Sequence, residues 1–104
     1  MARRYCMAVI GAGSWGTTIA SIAAANADTV IYARRRDTVD EINREHRNHA
    51  YLGDLQLNGS LRATDSIDEA VSNCDVLVMG VPSHSFRATL REVSRSIRPW
   101  VPVV

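Results

Sequence analysis

The chain has 104 residues, 46% of them hydrophobic and 22% charged, with a formal net charge of +1. These totals describe one globular domain and exclude a disordered tail, a polybasic nucleic-acid binder and a chain dominated by a membrane span. All 12 basic residues are arginine and none is lysine, so an amine that titrates as a proton donor is not among these residues. Cys6 and Cys74 are far apart in sequence and form no C-x-x-C. They are expected at or near the starts of buried strands, as free thiols of a reducing compartment. Arg3-Arg4 ahead of apolar residues imitates a signal peptide, but Gly11 interrupts the run after about six residues, too few for an h-region. No stretch approaches the ~20 apolar residues of a membrane span. A cytoplasmic protein with neither a membrane nor a nucleic-acid partner is the expectation.

Residues 5–10 form a nearly continuous apolar strand, of the kind that a sheet covered on both faces requires. Gly11-Ala12-Gly13-Ser14-Trp15-Gly16 follows, and a helix is predicted from about Ser14 to Ala25. Its apolar stripe is Trp15, Ile19 and Ile22, with Ala20, Ala23 and Ala24 filling in. A second strand spans 29–33 and runs into Arg34-Arg35-Arg36, with Asp37 read as a helix cap. Thr38 to Glu41 has capping-box spacing, and Val39, Ile42 and His46 share a helical face that continues to about Arg47. Residues 48–60 make a long connection with enough aromatic and apolar residues to fold back over the domain.

A short third strand is expected at 61–64, and a second capping box, Ser66 to Glu69, opens a helix with Ile67, Ala70 and Val71 inward. Residues 76–81 form the clearest strand, ended by Pro82, which has no N–H for the ladder. The helix predicted at 83–97 would bury Phe86, Leu90, Val93 and Ile97, and 100–104 opens a fifth strand. The order β-α-β-α-β-α-β-α-β gives the fold class: α/β, a Rossmann-type doubly wound parallel sheet truncated around the fifth strand. The expected unit is a single dinucleotide-binding domain over 1–104, with the second mononucleotide half only begun.

The glycines read G-x-G-x-x-G between a strand and a helix. In that context Gly11 permits the sharp turn, Gly13 lets a pyrophosphate approach the backbone, and Gly16 lets the helix lie close to the sheet. Helix N–H groups and the positive end of the helix dipole then face the phosphates. An NAD-preferring site places an acidic residue about 20 positions after the glycines to hold the ribose 2′-OH. Here Arg34 and Arg35 stand there instead, so a 2′-phosphate gains a charge-assisted bond of roughly 1.5–3 kcal/mol. NADP is therefore favoured over NAD. Pro82-Ser83 sits at the carboxyl end of a central strand, the edge where open α/β sheets bind ligands, and is read as a further cofactor contact. His46-x-x-His49 lacks a third metal ligand in spacing and is taken as a surface pair, so no metal is expected. Ser83-His84-Ser85 lacks the context of a nucleophile, and the arginines lack the interleaved aromatics of a nucleic-acid face.

Gly11-Ala12-Gly13-Ser14-Trp15-Gly16-Thr17-Thr18, Tyr32-Ala33-Arg34-Arg35, the loop 48–52, Arg62-Ala63-Thr64 and Val81-Pro82-Ser83 occur in that order. Together they resemble the N-terminal domain of bacterial NAD(P)-dependent glycerol-3-phosphate dehydrogenases over nearly the whole chain. Gly53 and Asp54 depart from the Pro-Gly that often follows Tyr-Leu in that family. The resemblance implies reduction of dihydroxyacetone phosphate to sn-glycerol 3-phosphate with NAD(P)H, for phospholipid synthesis, with a homodimer open at full length. It implies Ser14 and Trp15 at the cofactor phosphates and Arg34 and Arg35 at the adenosine end. It also implies two lysines beyond Val104, one of them a proton donor in a helical domain, so no catalytic residue is expected within the chain, which alone should be inactive. Two other readings stay open: another dehydrogenase of 6-phosphogluconate or hydroxyacid type, and a nucleotide-sensing module without chemistry.

Overall fold

The computed structural model describes residues 4–104, so Arg3 of the signal-like start lies outside the described residues. Four strands, β1 (Cys6–Ile10), β2 (Asp28–Tyr32), β3 (Arg62–Thr64) and β4 (Val76–Met79), form one parallel sheet in the order β3-β2-β1-β4. β1 is central, and its last three residues, Ala8, Val9 and Ile10, are completely buried. Their side chains go to opposite faces, so both faces need cover, as the continuous apolar run requires. Val9 joins Ile31 and Val78 beneath α1 (Ser14–Ala23) and α2 (Arg36–Glu45), through Ala20, Ala24 and Ile42. Ala8 and Ile10 join Leu77 beneath α4 (Ile67–Val71) and α5 (Ser83–Ser94), through Ile67, Ala70, Val71 and Val93. The architecture is a doubly wound α/β sheet of Rossmann type.

The start of a fifth strand is present in reduced form. Leu77 bridges Val103 in parallel, with N–H···O distances of 3.0 Å from Leu77 to Pro102 and 2.8 Å from Val104 to Leu77. This places the segment on the free edge of β4, where the strand order of the dinucleotide-binding fold puts it. Both thiols lie near strand starts. Cys6 opens β1, and Cys74 is buried two residues before β4, where burial pushes its thiol pKa up.

Several local expectations need correction. α1 ends at Ala23, and it turns Gly16, Thr17 and Ala20 to the sheet, while Trp15 is 57% and Ile22 65% exposed. Close approach at Gly16 rotates the helix onto its small-residue face, which no larger stripe can match. α2 begins at Arg36 with Arg35 as its N-cap, so Asp37 and Thr38 lie inside the first turn and the Thr38 capping box does not form. Asp37 instead accepts from the Thr38 N–H at 3.0 Å and pairs with Arg35. Half of the Ser66 box forms: the Ser66 Oγ accepts from the Glu69 N–H at 3.1 Å, while the Ser66 N–H donates to Thr64 Oγ1 at 3.1 Å in place of the Glu69 side chain. β4 ends at Met79: the Gly80 N–H still donates to the Ile10 carbonyl, while the Gly80 carbonyl and Val81 face the glycine turn. Only Val93 of the α5 stripe is fully buried; Ile97 packs at the core edge, while Phe86 and Leu90 face outward because α5 lies at the rim of a short sheet.

Candidate functional site

The carboxyl ends of β1, β2 and β4 open into a cleft of about 1040 Å³. It is lined by Gly11 to Gly16, by Tyr32 to Arg35 after β2, and by Gly80 to Pro82 after β4. Another cleft of about 1140 Å³ runs along β3, from Cys6 and Asp28 at the amino ends of β1 and β2 to Arg36 and Asp65, and lacks the glycine turn.

The turn is fixed by contacts that only glycine allows. Gly11 has φ +112°, and a Cβ there would stand 2.5 Å from the Gly80 carbonyl oxygen. Its N–H donates to the Tyr32 carbonyl at 3.0 Å, and the Gly80 N–H donates to the Ile10 carbonyl at 2.7 Å. A Cβ on Gly16 would stand 2.2 Å from the Gly11 oxygen, so α1 could not approach β1 with any side chain at that position. Gly13 differs from both: nothing lies within 4 Å of where its Cβ would be. No neighbour in the fold therefore requires a glycine there.

Gly13 is the N-cap of α1, and no side chain caps the helix. Among the described residues, the N–H groups of Gly13, Ser14, Trp15 and Gly16 donate to no backbone carbonyl outside the helix and to no side chain. Four free donors at a positive dipole end, beside open space, are the elements of an anion site. No acidic residue occupies the first turn of α1 to compete for them.

At the β2 end the charge is carried by side chains. Arg34 and Arg35 are both exposed and both line the cleft. Arg35 makes a two-pronged pair with Asp37, Nε to Oδ1 at 3.1 Å and Nη2 to Oδ2 at 2.9 Å. That hydrogen bond holds the Asp37 carboxyl below the usual carboxylate range and raises the Arg35 guanidinium. Arg34 makes no hydrogen bond or ion pair among the described residues, which leaves it the freer cation of the two. Burial pushes the Tyr32 phenol up and Glu92 adds to this, while Arg34 acts in the opposite sense. The ring therefore stays neutral beside the arginines.

The predicted site residues thus gather in one cleft, with one exception. Pro82 lines it as the N-cap of α5, but Ser83 is exposed at the start of that helix and does not. The next two residues, His84 and Ser85, take the lining positions. The sequence reading also missed Gly80, read as a strand residue, whose flanking of Gly11 is a tertiary contact with no local signal. It missed Tyr51, on α3 (His49–Leu52), which also lines the cleft. Asn48 was missed as well: it is 1% exposed and donates to the Ala12 carbonyl and to Thr17 Oγ1, both at 2.9 Å. No helix among the described residues is long and apolar enough to cross a membrane.

Comparison with known proteins agrees with this geometry. The profile for the NAD-dependent glycerol-3-phosphate dehydrogenase N-terminus matches residues 6–104. A glycerol-3-phosphate dehydrogenase (NAD(P)+) of Mycobacterium avium is 56% identical over 97 residues, covering 92% of this chain and 28% of that protein. A second such enzyme, from Sphingopyxis alaskensis, is 48% identical over 101 residues, covering 97% of this chain and 30% of that protein. Among solved structures, glycerol-3-phosphate dehydrogenase from Coxiella burnetii superposes with a TM-score of 0.86 at 25% identity, over 96% of this chain and 31% of that one. The chain spans less than a third of the length of each of these relatives. With its profile matched over nearly every described residue, the chain belongs to the NAD-dependent glycerol-3-phosphate dehydrogenase N-terminal family.

Proposed function

We propose that this chain is the cofactor-binding part of an enzyme that reduces dihydroxyacetone phosphate to sn-glycerol 3-phosphate with NAD(P)H. The observation that carries the reading is the uncapped N-terminus of α1, with its free N–H groups beside the open face of Gly13. The pyrophosphate is assigned to the N–H groups of Gly13, Ser14 and Trp15, and Gly11, Gly16 and Gly80 hold that backbone in place. Trp15 flanks Gly80, its Cε3 3.5 Å from where a Cβ on that glycine would be, and bounds the cleft on the β4 side together with Pro82. Arg34 is assigned to the 2′-phosphate of NADP, with Arg35 following once its pair with Asp37 opens. When bound, the nicotinamide supplies the hydride. What these residues contribute is binding, orientation and a phosphate-sized anion site.

With no lysine in 104 residues, the proton donor implied for this family is assigned to residues other than these. The isolated chain is therefore expected to bind cofactor without turning over substrate. Calorimetric titration of the chain with NADPH and NADH tests the binding half of the proposal. Oxidation of NADPH that depends on dihydroxyacetone phosphate, in a longer natural polypeptide containing this chain, tests the reaction. Binding of neither cofactor contradicts the first half, and indifference to dihydroxyacetone phosphate contradicts the second.

A further inference from the structure

Asn48 is held in an unusual place for an amide side chain. It lies in the connection between α2 and β3, yet it is 1% exposed and reaches across to the glycine turn. Its Nδ2 donates to the Ala12 carbonyl oxygen and to Thr17 Oγ1, each at 2.9 Å. An amide nitrogen carries two hydrogens, so it can serve both acceptors at once. One side chain thereby ties the middle of the turn to the buried face of α1, across 36 and 31 positions of sequence.

The consequence passes through a single peptide plane. The Ala12–Gly13 bond is trans, as are all the described peptide bonds, so the Ala12 C=O and the Gly13 N–H point in opposite directions. Holding the carbonyl toward Asn48 turns the Gly13 N–H away from it. That N–H donates to no group among the described residues, and Gly13 borders open space. We propose that Asn48 is a positioning residue for the dinucleotide phosphates: it sets the tilt of the Ala12–Gly13 peptide and so aims the Gly13 N–H at an anion. The proposal rests on the reading of this turn as a dinucleotide site. Asn48 is uncharged, so its effect is one of geometry.

Three variants and one resonance test it, by NADPH titration and amide NMR of the full chain. Asn48→Ala removes both bonds. Asn48→Asp keeps the shape but cannot donate while ionised. Thr17→Val removes only the bond from Asn48 to α1. With far-UV circular dichroism unchanged, the NADPH Kd is expected to rise about tenfold or more in both Asn48 variants and less than about threefold in Thr17→Val. In Asn48→Asp the loss should reverse as the pH falls far enough to protonate the new carboxyl, which then donates again; the wild type should show no such recovery. A residue that merely cements the loop would recover in the same way but would leave the Gly13 amide resonance of the free, folded Asn48→Asp chain where the wild type has it, whereas a residue that tilts the Ala12–Gly13 peptide shifts it. In the wild type, saturating NADPH should shift the Gly13 amide resonance. A folded Asn48→Ala or Asn48→Asp that binds NADPH within about twofold of wild type overturns the proposal. So does a Gly13 resonance indifferent to NADPH, which decides the matter if both Asn48 variants fail to fold. A wild-type chain that binds no NADPH overturns the dinucleotide reading instead.

Discussion

The two ends of the cleft are built from different materials. At the β1–α1 end the polar groups are backbone N–H groups on a turn locked by close contacts of Gly11, Gly16 and Gly80 and by buried Asn48. At the β2–α2 end they are exposed guanidiniums, one of them already engaged by Asp37. A preformed backbone cradle gives up little entropy when an anion enters, whereas exposed side chains must be ordered and their charges are screened by salt. The first end is therefore expected to set whether a dinucleotide binds. The second sets which one.

The sharpest way to break this contrast lies within the turn itself. Gly16→Ala puts a methyl 2.2 Å from a backbone oxygen, which only a displacement of α1 can relieve. A cost of about 3 kcal/mol or more is expected, visible as a drop in Tm of roughly 12 °C or more, with loss of NADPH binding. Gly13→Ala meets nothing in the free chain, and the backbone there is extended at φ −77°. Its Tm should stay within about 3 °C while NADPH and NADH affinities both fall about tenfold or more, because the methyl occupies the space of the phosphates. Equal losses of stability in the two variants would dissolve the distinction between a packing glycine and a ligand glycine.

At the other end the effects are smaller and selective. Arg34→Ala should weaken NADPH by about tenfold to a hundredfold and leave NADH within about twofold, as read by parallel titrations. Asp37→Asn should free Arg35 and tighten NADPH by no more than about threefold, since an exposed pair is worth little. The pH dependence follows from the same pair. The Asp37 carboxyl sits below the usual carboxylate range, so its contribution is present above the unfolded pKa and is lost as the pH falls through the folded one. Arg35 should therefore stay engaged throughout the neutral range, and an NMR titration of the Asp37 carboxyl should give a midpoint below that of an ordinary aspartate.

Much of the first end was legible from the residues because its information is local. Strand, three glycines and helix are consecutive, and each glycine has a job set by its position in the turn. The β2 arginines were legible for the same reason. Gly80 and Asn48 were not, since each acts on the turn from far along the chain, and an asparagine in a polar loop has no signature of burial. The helix faces misled in a consistent way. Trp15, Ile22, Phe86 and Leu90 fit a 3.6-residue stripe, but the sheet selects Gly16, Thr17 and Ala20 on α1 and Val93 on α5. Closeness of packing outweighed side-chain size at α1, and the edge of the sheet ran out beneath α5.

The division of labour between the two ends is tested most directly by one comparison: the ratio of NADPH to NADH affinity of the wild-type chain, measured by titration at low salt. The preformed turn with Arg34 beside it requires that both cofactors bind and that NADPH bind more tightly by about tenfold or more. Equal affinities, or binding of neither, would contradict it.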